Sequence, residues 1–186
     1  MAYKLFDIND QEIKQHDLQD KSRWCKAGEK IEEAFVRQFG EKLGLVINPE
    51  KSTNPFVPDL VNNKNGKLGD LKMQSTPFFK SKSLYGIDPT YAVVFNLKDK
   101  LRYESNYPDI EIYYWINWVA VKFEMHNTTI KVEPLHGVWK VGFPEFNKYL
   151  NESSLHEYQQ RVKDTKGNAK SSYVLDIRKE IFEQVI

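Results

Sequence analysis

Pro55-Phe-Val-Pro-Asp-Leu-Val61, Asn62-Asn-Lys-Asn-Gly-Lys67 and Leu68-Gly-Asp-Leu-Lys-Met-Gln74 form the stretch from which the fold is read. Two short apolar runs flank a polar turn. The turn contains Asn65-Gly66, a dipeptide that tolerates the positive φ of tight hairpins. The second run alternates: Leu68, Asp70, Lys72 and Gln74 point one way, and Gly69, Leu71 and Met73 the other. The first set reads as the wet face of a half-buried strand. Asp59 lies on the partner run, so two carboxylates and an ammonium converge on one face of a hairpin.

Neighbouring carboxylates repel unless a cation lies between them. Oxygen ligands on a rigid sheet suit Mg²⁺, which accepts one or two carboxylates and keeps several waters. Lys72, two residues beyond Asp70, can orient or help deprotonate a bound water, or offset charge building on a phosphate.

Pro58-Asp59 followed by Asp70-Leu71-Lys72 resembles the signature of the PD-(D/E)xK nuclease superfamily. The resemblance covers the hairpin and extends to the helix before it, without identifying a subfamily. It implies an α/β (α+β) fold, with a central mixed β-sheet flanked by helices. The restriction-endonuclease-like core would span about residues 26–97, and residues 98–186 would elaborate the C-terminal half. It implies Mg²⁺-dependent hydrolysis of DNA phosphodiesters, with Mn²⁺ as a substitute. Asp59 and Asp70 would hold the metal together with the main-chain carbonyl of Leu71. Lys72 would orient or activate the attacking water. The family also carries a glutamate on its first helix, often as Gly-x-x-x-Glu, and Gly28-Glu-Lys-Ile-Glu32 is similar to that. Glu32 is therefore a further candidate, with Glu33 the alternative if the helix is rotated by one position.

That helix is read from the residues themselves. Between Lys26 and Leu43, Gly28, Glu32, Phe35, Phe39 and Leu43 form one stripe, with Ile31 and Ala34 beside it. Gly40 and Gly44 lie where it would stop. Leu45 to Pro49 reads as a short strand, giving the order helix, strand, motif strand, motif strand. Tyr91 to Leu97, Ile110 to Val121, Thr129 to Glu133 and Tyr173 to Ile177 read as further strands, Pro144 to Leu150 as a helix start, and the C-terminus as a short helix. A polar segment from Asp10 to Ser22 looks helical. If Ile110, Ile112, Tyr114, Ile116 and Trp118 face the core, Tyr113 and Trp115 face outward, as a partner surface or beneath a later element.

At 186 residues the chain is long enough for one domain with a sizeable core. Its net charge of +1 excludes a polybasic protein, so nucleic-acid contact needs a local patch. From Leu60 to Tyr85 the charges are Lys64, Lys67, Lys72, Lys80 and Lys82 against Asp70 alone, which suits a phosphate backbone. Lys166 and Lys170 belong to a second basic segment. Gln74 continues the motif face and could touch a phosphate or position a water; a plain strand role is the alternative. The lone Cys25 excludes an internal disulfide or a multi-cysteine zinc site, and the four histidines are scattered. No signal peptide or long apolar run appears, so a cytoplasmic protein without membrane contact is expected.

The reading from sequence is thus a metal-dependent deoxyribonuclease, an endonuclease of restriction, repair or phage type. A small nuclease that cuts both strands is expected as a two-fold dimer. Two alternatives stand beside it: a non-catalytic nucleic-acid-binding protein on the same fold, and a protein-interaction accessory protein. On this reading Asp70 and Lys72 lie outside the core, and alanine at either should abolish cleavage and leave the fold intact.

Overall fold

The hairpin forms where the sequence places it. In a computed structural model describing residues 3–13, 30–157 and 171–186, strand β3 (Leu60–Asn62) pairs antiparallel with β4 (Leu68–Gln74). Gly66 takes φ +72° in the turn, and Lys67 N–H donates to Asn65 Oδ1 at 2.9 Å. Expectations for residues 14–29 and 158–170 lie outside the described residues, among them those for Gly28, Cys25, Lys166 and Lys170.

Helix α1 (30–43) precedes the hairpin. Its Val36–Gly40 segment is a π-helical turn, and its last turn is Glu41–Leu43. Gly44, at φ +69°, ends it in the left-handed conformation that only glycine adopts at little cost. Strand β2 (Leu45–Ile47) follows and pairs antiparallel with β3. β4 then pairs in parallel with β6 (Glu111–Asn117), and β6 antiparallel with β9 (His136–Gly142). With β12 (Glu183–Gln184) at the far edge, the central sheet is mixed and six-stranded, in the order β12-β9-β6-β4-β3-β2. The α+β architecture with a central mixed sheet and flanking helices is therefore as expected. Strands β6 and β9, from the half expected to elaborate the core, lie inside this sheet. The C-terminal segment is a turn and β12, not a helix.

A parallel step from β4 to β6 requires a crossover. Here it contains α2 (Ser81–Tyr85), β5 (Ala92–Asn96) and α3 (Leu97–Asn106). β5 joins β11 (Ser172–Asp176) and β10 (Leu155–His156) in a second sheet. A third sheet combines β1 (Lys4–Phe6), β7 (Lys122–Met125) and β8 (Thr128–Lys131). Helix α4 (Phe143–Glu152) has proline in its first turn, as read. Residues 10–13 are not helical: Asp10 has φ 61° and Glu12 bridges to Phe6.

The central sheet is covered on both faces. On one, Phe35 of α1 packs with Leu45, Leu60, Leu71, Tyr113 and Val138. Phe35 and Phe39 lie with ring centroids 5.8 Å from Trp115. The aromatic face of β6 is thus covered, by α1 and also by the later Val185 and Ile186, which pack against the same cluster. On the other face the larger core joins Ile112, Tyr114 and Ile116 to Phe95, Tyr103 and Phe146. Asp70, Lys72 and Gln74 point toward this crossover, so their face of β4 is not the wet one. No helix among the described residues is long and apolar enough to cross a membrane.

Candidate functional site

Two clusters of charge meet at the β3–β4 edge. Asp59 lies one residue before β3, and continuing the register by one step sets it opposite Asp70. Asp59 Oδ2 accepts the Leu71 N–H at 3.1 Å. Its Oδ1 lies 2.5 Å from Lys51 Nζ, which is also 2.6 Å from each carboxylate oxygen of Glu32. Glu32 is the acid that α1 turns toward the hairpin; Glu33 is exposed.

Lys51 is delivered by a short 3₁₀ turn, Pro49–Ser52. The buried Asn48 caps the turn, accepting from Glu50 N–H at 3.1 Å. Asn48 Nδ2 donates to Pro58 O at 3.0 Å, and Asn48 N–H to Asp59 O at 2.9 Å. The turn and the acid are thereby fixed to one another.

The second cluster is deeper. Asp70 is only 2% exposed. Lys72 Nζ lies 2.7 Å from Asp70 Oδ2 and 2.6 Å from Asp99 Oδ2, and Arg102 reaches Asp70 Oδ1 at 3.2 Å. The geometry at Asp70 Oδ2 makes an ion pair without a hydrogen bond of good angle. Lys72 Nζ also sits 5.6 Å and 5.7 Å from the ring centroids of Phe95 and Tyr103. Arg102 donates to the Tyr103 hydroxyl. Asp99, Arg102 and Tyr103 all come from the first two turns of α3, so the crossover that closes the sheet also completes the charge balance.

Burial raises the Asp70 carboxyl, and repulsion from Asp59 adds to it against the attraction of Lys72. Burial pulls the Lys72 ammonium down, but its anionic neighbours outweigh that and hold it well above its ordinary value. Lys72 is therefore an ammonium, suited to orienting a water or offsetting negative charge and not to acting as a free base. Burial, with repulsion from Asp59, pushes Glu32 from 4.5 up to about 7 despite Lys51. A carboxyl raised in the folded state stabilises the fold below its unfolded value, and that contribution is lost as pH rises through the folded one. Metal-free protein should accordingly lose stability between pH 4.5 and about 7 from this group. Urea unfolding across that range should show a shallower decline for Glu32→Gln; an unchanged slope would contradict the assignment.

The remaining candidates separate. Gln74 Nε2 donates to Val94 O at 2.8 Å, and Gln74 Oε1 accepts Val94 N–H at 3.2 Å. Its amide thus ties β4 to β5, the plain structural role. Lys64 and Lys67 sit exposed at the hairpin tip, Lys67 being 3.5 Å from Glu111. Lys80 and Lys82 are exposed beyond the other end of β4. At about 3.3 Å per strand residue, the length of β4 separates these pairs into two groups.

The oxygen donors suit a hard divalent cation, and Glu32 and Asp59 already meet around a cationic centre. That centre is Lys51 Nζ. Asp70 is turned to its own partners, and among the described residues no three acidic, histidine or cysteine side chains converge as a metal cluster. In an extended strand a residue's N–H and C=O leave on the same edge, so the Leu71 carbonyl faces the Asp59 side. Sequence reasoning missed Lys51, Asp99, Arg102 and Tyr103. Helical spacing of Asp99, Arg102 and Tyr103 was a usable signal; nothing marks Lys51. Searches for similar proteins match no family model, no curated protein and no solved structure.

Proposed function

We propose that the chain is a metal-dependent phosphodiesterase acting on DNA, with Glu32, Asp59, Asp70 and Lys72 as its site. The observation that carries this reading is the placement of Asp59 against the Leu71 amide, beside Asp70 and Lys72, on a hairpin backed by helix α1, which brings Glu32 to the same Lys51 ammonium. Structural ion pairs need no such grouping around one strand edge.

Asp59, Glu32 and the Leu71 carbonyl would hold Mg²⁺ or Mn²⁺, with Asp70 beside them. When bound, the ion would lower the pKa of a coordinated water and offset phosphate charge. Lys72, held between Asp70 and Asp99, would keep its proton and offset charge building on the attacking water or the scissile phosphate. Asp99 and Asp70 fix the position of that ammonium, and Arg102 balances Asp70 from the far side. The rings of Phe95 and Tyr103 limit the water around Lys72, which strengthens its field.

Lys64, Lys67, Lys80 and Lys82 flank β4 and suit the two sides of a backbone track. Replacing all four by alanine should weaken DNA binding in chelator. It should also reduce the slope of log affinity against log salt by about one per lost phosphate contact. An unchanged slope would remove these lysines from the interface. DNA binding without cutting in any metal would favour the non-catalytic binding protein.

A further inference from the structure

Lys51 is not explained by the hydrolytic reading above. Its ammonium has three N–H donors, and three carboxylate oxygens lie at 2.5–2.6 Å: both of Glu32 and one of Asp59. The side chain is 17% exposed, so the group is enclosed but has a route out. Its backbone is pinned to the Pro58-Asp59 segment through Asn48, which is 4% exposed.

With both acids ionised, the charge balance of this arrangement is incomplete. One ammonium faces two carboxylates on separate elements, α1 and the approach to β3. A divalent ion in the same seat would neutralise both. Lysine is also a compact charge on a flexible four-carbon stem, so it can leave without moving the turn that bears it.

We infer that Lys51 is the resident cation of the Glu32–Asp59 seat, holding the two carboxylates together in the metal-free protein and yielding the seat to a divalent metal. The inference rests on the metal-site reading of Asp59 and adds a residue that sets metal affinity. Lys51 and the metal compete, so removing one favours the other by the same coupling.

Two measurements on the full chain test it. Mn²⁺ is titrated calorimetrically into wild type and Lys51→Gln. Separately, an amine-reactive reagent labels wild type with and without saturating Mn²⁺, and mass spectrometry reads the label at Lys51. The variant should bind Mn²⁺ about tenfold or more tightly than wild type, within the range of ordinary coupling energies. Labelling of Lys51 in wild type should rise with Mn²⁺. A purely structural ion pair would leave both unchanged. Equal or weaker binding by the variant overturns the inference, as does a Lys51 that stays protected at saturation. If wild type shows no Mn²⁺ binding, a gain in the variant supports the inference and continued absence overturns it. Should the variant fail to fold, the wild-type labelling decides, with absent binding or unchanged label counting against the inference. DNA cleavage is not read here: a chain that behaves this way but cuts nothing loses only the hydrolase reading. One that cuts with metal but shows no Lys51 competition loses only this inference.

Discussion

Replacing Asp70 by alanine should lower stability by about 3–5 kcal/mol, as well as removing activity. The carboxylate is 2% exposed and lies between Lys72 and Arg102. Its removal leaves two cations beneath the crossover with less negative charge to meet. Arg102 keeps its hydrogen bond to the Tyr103 hydroxyl and the longer-range attraction of Asp99, and Lys72 keeps its ion pair with Asp99. Against a typical domain stability of about 5–15 kcal/mol the loss is large. With a urea dependence of about 1–3 kcal/mol per molar, the unfolding midpoint should fall by more than about 1 M. A midpoint within experimental error of wild type would mean that water reaches Asp70. This expectation corrects the one drawn from sequence, in which the side chain stood outside the core and the fold stayed intact.

Lys72→Met should reduce cleavage per folded molecule by at least about a hundredfold, the scale expected for losing one preorganised donor at developing charge. Methionine approximates the length of the stem and retains contact with Phe95 and Tyr103, so packing changes little. The charge does not survive. Asp70 and Asp99 then face a common gap without an ammonium, and stability also falls. The chemical loss is separated from the structural one by working well below the unfolding transition and by measuring DNA affinity in chelator. Affinity should hold, because Lys72 is an enclosed side chain and not part of the exposed lysine groups. Cleavage close to wild type would take Lys72 out of the mechanism.

Local signals made the hairpin legible. Asn65-Gly66 and the alternation from Leu68 to Gln74 encode a turn and a strand without help from the rest of the chain. The stripe of Phe35, Phe39 and Leu43 similarly encodes α1. Period-two alternation does not say which face meets water, however. The polar face of β4 became buried because β5 and α3 return across it, and that covering depends on contacts distant in sequence. The same crossover supplied Asp99, Arg102 and Tyr103, and tied Gln74 to Val94. The cover on Tyr113 and Trp115 is illegible for the same reason: one alternating strand cannot reveal that α1, with Val185 and Ile186, occupies its second face. Lys51 stood in an ordinary polar turn. Its role emerges only when Asn48 anchors that turn beside Asp59 and α1 brings Glu32 to the same point.

Asp59, Asp70 and Lys72 are proposed to form one metal-dependent hydrolytic site. Cleavage of supercoiled plasmid, linear duplex, branched junction and single strands should be followed with Mg²⁺, Mn²⁺ and chelator, for wild type beside Asp59→Asn. Wild type should cut at least one substrate with metal and none in chelator, and the variant should cut none. Cutting by Asp59→Asn at the wild-type rate, or no cutting of any substrate by wild type in either metal, would contradict it.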